Sequence, residues 1–137
     1  MKYISEDREK DTFAFKATKE ELEVCSKVMN LALKELGEEF NTRHQDSHEE
    51  PYETGLVLGK KLEAILDAHK DVSPPDLITI TIRFFEAGII YDAFNEVCNA
   101  LSFGYRNTPT LKQLIGYNEE ELRTFYAHYK KVYMDCI

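Results

Sequence analysis

The residues best suited to chemistry in this chain lie together at His44-Gln45-Asp46-Ser47-His48-Glu49-Glu50. Imidazole and carboxylate are ligands for zinc-type ions. Two imidazoles four residues apart on a helix, or His44, Asp46 and His48 on one side of an extended segment, can share one divalent metal. That arrangement would support a metal-dependent hydrolase. The segment lacks an HExxH spacing or any other metalloprotease pattern, and a hydrated polar connection accounts for the same residues. The reading therefore assigns no cofactor and no metal ligand, and keeps the hydrolase centred on His44, Asp46 and His48 as an alternative.

The carboxylates Glu38, Glu39, Asp46, Glu49, Glu50 and Glu53 invite two readings. Acid–base catalysis needs a concave, partly desolvated site, whereas acids in a helix's first turn are favoured by its dipole, which suits Glu49, Glu50 and Glu53. Glu38 and Glu39 instead follow a helix C-terminus, where negative charge is mildly unfavourable. Their position points to a partner, and the six together are expected to form an acidic partner-binding surface. From Glu35 to Glu53 there are seven acids and one base, a net charge of −6 within a chain whose total is −8. Such a field steers a basic protein toward it and repels nucleic acid and anionic membranes.

Other catalytic signatures are missing. There is no phosphate-cradling glycine loop, no order of Ser, His and Asp suggesting a triad, and no basic-aromatic pattern of an RNA-binding sheet. Cys25, Cys98 and Cys136 form no CxxC pair and read as buried reduced thiols. Tyr126, Tyr129 and Tyr133 recur along the last helix; Tyr129 falls on its main apolar stripe, so core packing is favoured over an aromatic contact surface.

The elements that must position these groups follow from periodicity. Phe13-Ala14-Phe15 alternates as a short strand. Thr18 and Glu21 make a capping box for a helix whose apolar positions Leu22, Cys25, Val28 or Met29, Ala32 and Leu36 recur at three and four residues, with Gly37 as its cap. Phe40 is expected to pin the connection that follows. Ser47 and Glu50 suggest a second box opening a helix from about His48 to Lys70, with Pro51 in its first turn and Tyr52, Leu56, Leu62, Ile65 and Leu66 as its apolar set. Gly55 and Gly59 in that helix suggest close backbone approach. Consecutive prolines at 74 and 75 divide the chain. Leu77 to Phe84 alternates as the clearest strand, followed by a helix from about Glu86 to Ser102. After a short helix ended by Gly116, Asn118 and Glu121 cap a last helix carrying Leu122, Phe125, Tyr129, Val132 and Cys136.

The order of strand and helices on either side of the linker is similar. Shifted by 69 positions, Phe15 falls on Phe84, Val28 on Val97 and Asn30 on Asn99. The expected fold is a helix-dominated α+β domain over residues 1–137. It comprises two βαα pseudo-repeats, about 12–70 and 77–136, joined by a linker at 71–76, with a minimal two-stranded sheet and about four main helices. Residues 1–11, with only Tyr3 and Ile4 as apolar anchors, are expected to dock loosely. If only two strands pair, Leu77 to Phe84 leaves an edge open to a second copy. With no signal-peptide core and no apolar run of about 20 residues, the chain reads as soluble and cytoplasmic. The expected function is that of a non-enzymatic acidic binding protein that occupies a basic partner, an inhibitor or immunity protein for a nuclease toxin being the concrete case. A homo-oligomeric structural or regulatory protein is the second alternative.

Overall fold

A computed structural model describes residues 1–44, 49–73 and 76–134; Asp46, Ser47, His48, Pro74, Pro75 and Cys136 lie outside the described residues. The element order is β1 (Lys2–Asp7), β2 (Thr12–Thr18), α1 (Lys19–Leu36), α2 (Glu39–Arg43), α3 (Pro51–Ala68), β3 (Leu77–Ile82), α4 (Phe84–Asn95), a π-helical turn (Glu96–Ala100), α5 (Leu111–Ile115) and α6 (Glu119–Met134). The fold is mixed and helix-dominated, with an antiparallel sheet in the order β1-β2-β3.

The sheet has three strands, so the two-stranded expectation is corrected, as is the loosely docked leader. β1 carries little apolar surface, which is why its sequence does not read as a strand. It is held by the ladder to β2, where Lys2 opposes Lys16 and Asp7 opposes Thr12, and by Tyr3 packing 6.2 Å from Phe13. The hairpin turn is polar: Asp7 Oδ1 accepts from the amides of Glu9 and Lys10, and Asp11 adopts a left-handed φ of 51°. In register with β2, β3 places Ile78 against Ala17, Ile80 against Phe15 and Ile82 against Phe13. These six side chains form one almost fully buried face, while Lys16, Thr79 and Thr81 face outward.

The helices cover that buried face. The Thr18–Glu21 box forms in full, and the Gly37 amide closes α1 onto the Leu33 carbonyl. β3 stops at Ile82, two residues short of the expected strand, because Arg83 and Phe84 already begin α4. Arg83 has no acceptor to complete a box, but its amide donates to Glu86 at 2.7 Å, the counterpart of Thr18 donating to Glu21 at 2.9 Å. The two caps therefore correspond at a shift of 65 residues; at 69, Phe15 in a strand would fall on Phe84 in a helix. Helix α3 begins at Pro51 with Glu50 at its N-cap, not near His48, and the Glu50 side chain makes no capping bond.

Leu56 in α3 is exposed, and Leu58, absent from the expected set, is buried beside Leu62. The last helix closes the core: Tyr129 is fully buried, donates to the Ala87 carbonyl at 2.6 Å and meets Phe15 edge-on. Tyr126 is also buried and stacks on Phe94. Cys25 and Cys98 are buried free thiols, and burial pushes Cys98 up to about 11.

Gly55 and Gly59 seat α3 on α1. A Cβ at Gly55 would stand 2.9 Å from Leu33 Cδ1 and 3.4 Å from Ile89 Cγ2, both on buried side chains. At Gly59 it would stand 2.9 Å from Oδ1 of exposed Asn30, an amide free to swing toward water. Gly55→Ala is therefore expected to destabilise by about 1–2 kcal/mol through overpacking. Gly59→Ala should be neutral or stabilise by up to about 1 kcal/mol through helix propensity. Urea unfolding of the two variants checks the contrast, and equal losses would refute it.

Candidate functional site

Two side chains hold α2 between α1 and α3. Phe40 is fully buried on α2, and Asn41 Oδ1 accepts the Tyr52 amide at 2.8 Å, joining α2 to the first turn of α3. This joint carries the carboxylates expected to bind a partner. Glu38 precedes α2, Glu39 lies in its first turn, and Glu50 and Glu53 lie at the N-cap and first turn of α3; all four are exposed. Glu39 stands 3.4 Å from Arg43 Nε. Glu38, Glu50 and Glu53 have no ion pair among the described residues.

Glu49 stands apart from this group. Its carboxylate is bidentate with Arg83, Oε2 accepting from Nη2 at 2.8 Å, and it also accepts from the Thr54 hydroxyl at 3.1 Å. The hydrogen bond from Arg83 holds the carboxyl below the usual carboxylate range. This pair fastens the entry of α3 to the end of β3 and compensates part of the Glu49 charge. Asp46 lies outside the described residues.

His44 is engaged elsewhere than with its sequence neighbours. Its ring packs 4.6 Å from Phe40, Nε2 lies 3.1 Å from Glu96 Oε1, and Nδ1 lies 3.5 Å from Asp92 Oδ2. The other Glu96 oxygen accepts from Arg43 Nη1 at 2.8 Å. Glu39, Arg43, Glu96, His44 and Asp92 thus form a chain of alternating charge type that dips from the surface to buried Glu96 and returns to the partly exposed Asp92. Both His44 nitrogens face carboxylates of α4 and the π-helical turn; Asp46 and His48, the other two members of the alternative metal reading, lie outside the described residues. Among the described residues no group of three or more His, Cys, Asp or Glu side chains is arranged to hold a metal.

Asp92 and Glu96 were absent from the expected site. Their signal is a like-charged pair at i and i+4 inside a largely apolar helix, a spacing that destabilises an isolated helix. The π turn begins at Glu96 and ends with the Leu101 amide bonded to the Glu96 carbonyl at 2.8 Å; such turns often accompany functional side chains. Beside Asp92 and His44 is a cavity of about 180 Å³, completed by Phe84, Phe85, Gly88, Ile89 and Tyr133. Burial pushes the Asp92 carboxyl up to about 6, with His44 pulling it down and Glu96 pushing it up.

No family model matches the chain, and neither the curated proteins nor the solved structures contain a significant match. The candidate site is therefore described by its geometry: exposed carboxylates beside α2 and at the start of α3, next to a half-buried imidazole and carboxylate cluster. No described helix is long and apolar enough to cross a membrane.

The Asp92 environment has a measurable consequence. A carboxyl whose folded pKa is raised to about 6, against about 3.9 unfolded, binds its proton more tightly when folded. Ionised Asp92 therefore destabilises the fold above about pH 6, and that penalty is relieved as pH falls toward 4. Asp92→Asn is expected to be more stable than the wild type by about 1 kcal/mol at pH 8, a figure discounted because a third of the side chain reaches solvent. The difference should vanish by about pH 4. Urea titrations at both pH values test this; a variant less stable at pH 8 would show that the His44 contact outweighs burial.

Proposed function

We propose that this chain is a non-enzymatic binding protein that occupies a basic protein partner through the carboxylates of the α1–α2–α3 joint. The observation that carries the reading is that Glu38, Glu50 and Glu53 are exposed and have no ion pair among the described residues, on elements that Phe40 and Asn41 hold in place. Carboxylates compensated within the fold attract a partner weakly. These three keep their field, and their fixed geometry avoids the ordering cost of a flexible acidic loop.

The chemistry that fits is a concave basic surface. A nuclease toxin presents one to its substrate, and an acidic inhibitor or immunity protein covers it by resembling the phosphate charge. The chain's net charge of −8 favours rapid encounter with such a partner in the cytoplasm. The shared order of strand, long helix, short helix and long helix on either side of the linker, with matching caps at a shift of 65 residues, supports the reading of two pseudo-repeats.

The test is capture of basic proteins from host lysate at low salt, comparing the wild type with Glu38→Lys/Glu50→Lys/Glu53→Lys. A basic protein retained by the wild type should associate with the variant at least about tenfold more slowly, with the difference shrinking as salt rises. Equal association of that partner with both chains would overturn the assignment of this surface.

A further inference from the structure

The two edges of the sheet are built differently. β1, at one edge, carries Lys2, Glu6 and Asp7 and breaks register between Tyr3 and Ser5. Charges and bulges are the devices that keep an edge strand from pairing with another chain. β3, at the other edge, reads Leu-Ile-Thr-Ile-Thr-Ile: no charge, no proline, no glycine and no irregularity against β2. Among the described residues only β2 pairs with it.

Alternate residues of an antiparallel strand bond to opposite sides. The Phe84 amide donates to Asp11, just before β2, whereas the Arg83 amide turns away to Glu86; Ile78, Ile80 and Ile82 are in phase with Phe84 and so bond inward to β2. Leu77, Thr79 and Thr81 are exposed and direct their backbone groups outward. Helix α3 adds a second surface beside this edge. At 100° per residue, Thr54, Val57, Lys61, Ala64 and Ala68 share one stripe. Thr54 reaches Arg83 through Glu49, and Lys61 lies 3.7 Å from Glu86, so the stripe borders the junction of β3 and α4. Val57 on that stripe is 65% exposed and Leu77 on the strand 46%.

We propose that β3 pairs antiparallel with β3 of a second copy about a two-fold axis at Thr79, with the α3 stripes meeting beside it. The register is self-complementary. Thr79 meets Thr79 of the other copy, Leu77 meets Thr81, and Ile78 meets Ile80, so the buried isoleucine face continues across the axis. At each end Asp76 of one copy comes within one residue of Arg83 of the other, an opposite-charge pairing. In a chain of net charge −8, an uncharged strand is where two copies approach with least repulsion. The strand pairing uses none of Glu38, Glu50 and Glu53, so its success or failure leaves that reading untouched.

Analytical ultracentrifugation of the wild type over a concentration series is expected to show a species of twice the 15.9 kDa chain mass. Thr79→Lys/Thr81→Lys, two exposed positions whose change leaves the core intact, should raise the dissociation constant at least about tenfold. Hydrogen exchange on the wild type gives a readout that needs no variant: the amides of Leu77, Thr79 and Thr81 should gain protection as concentration rises, while those of Ile78 and Ile80 stay protected throughout. A monomer at every concentration would overturn the proposal. So would a dimer unaffected by the two lysines, or outward amides whose exchange ignores concentration.

Discussion

The arrangement rests on carboxylates buried where elements meet. Glu21, Glu86 and Glu96 are each less than a tenth exposed, and a buried carboxylate is tolerated only when charge and hydrogen bonds compensate it. Glu21 accepts from the Thr18 amide at 2.9 Å and from the amine of Met1 at 2.9 Å, tying β2 to α1 and bringing the start of β1 alongside. Burial alone would raise its pKa, but these donors outweigh burial and hold it below the usual range. Glu86 accepts from the Arg83 amide and faces Lys61, tying β3 to α4 and α3. Glu96 accepts from Arg43 and contacts His44, seating α2 on the π turn. Each acid fixes the angle between two elements that apolar packing alone would leave free to slide.

This explains which parts of the fold were legible in the sequence. The caps of α1 and α6 were readable because both halves of each box are local: Asn118 and Glu121 bond each other's backbone amides as their spacing requires. Phe40 was readable because a lone aromatic in a polar connection has few places to go. β1 was not, since its stability comes from a ladder to residues about ten positions away and not from its own alternation. The π turn and its partners were also hidden. Glu96 lies 53 residues from Arg43, and no local pattern says that these two side chains meet.

The acids also show why net charge is a blunt guide to a site. Within the stretch that gives the chain its strongest negative density, Glu49 serves as a clamp on Arg83, and Glu39 is shared with Arg43. Sequence counts all of them alike, because it contains no information about which base will be near. The structure divides them by partner. What is left for the proposed binding surface is smaller than the count suggests, but it lies beside α2 and at the start of α3, which the Asn41–Tyr52 bond joins and Phe40 anchors.

The same division shapes the surface as a whole. A three-stranded sheet covered on one face has two edges and one open face to protect. The chain places charge and a register break on β1 and leaves β3 smooth. It places uncompensated carboxylates on the α2–α3 joint and compensated ones at the junction below it. Repulsion between copies is strongest where the carboxylates are uncompensated and weakest along an uncharged strand. The proposed self-pairing and the proposed capture of a basic partner therefore draw on different surfaces by the same electrostatic rule. Salt should move them in opposite senses, weakening attraction to a cationic partner while screening the repulsion between copies.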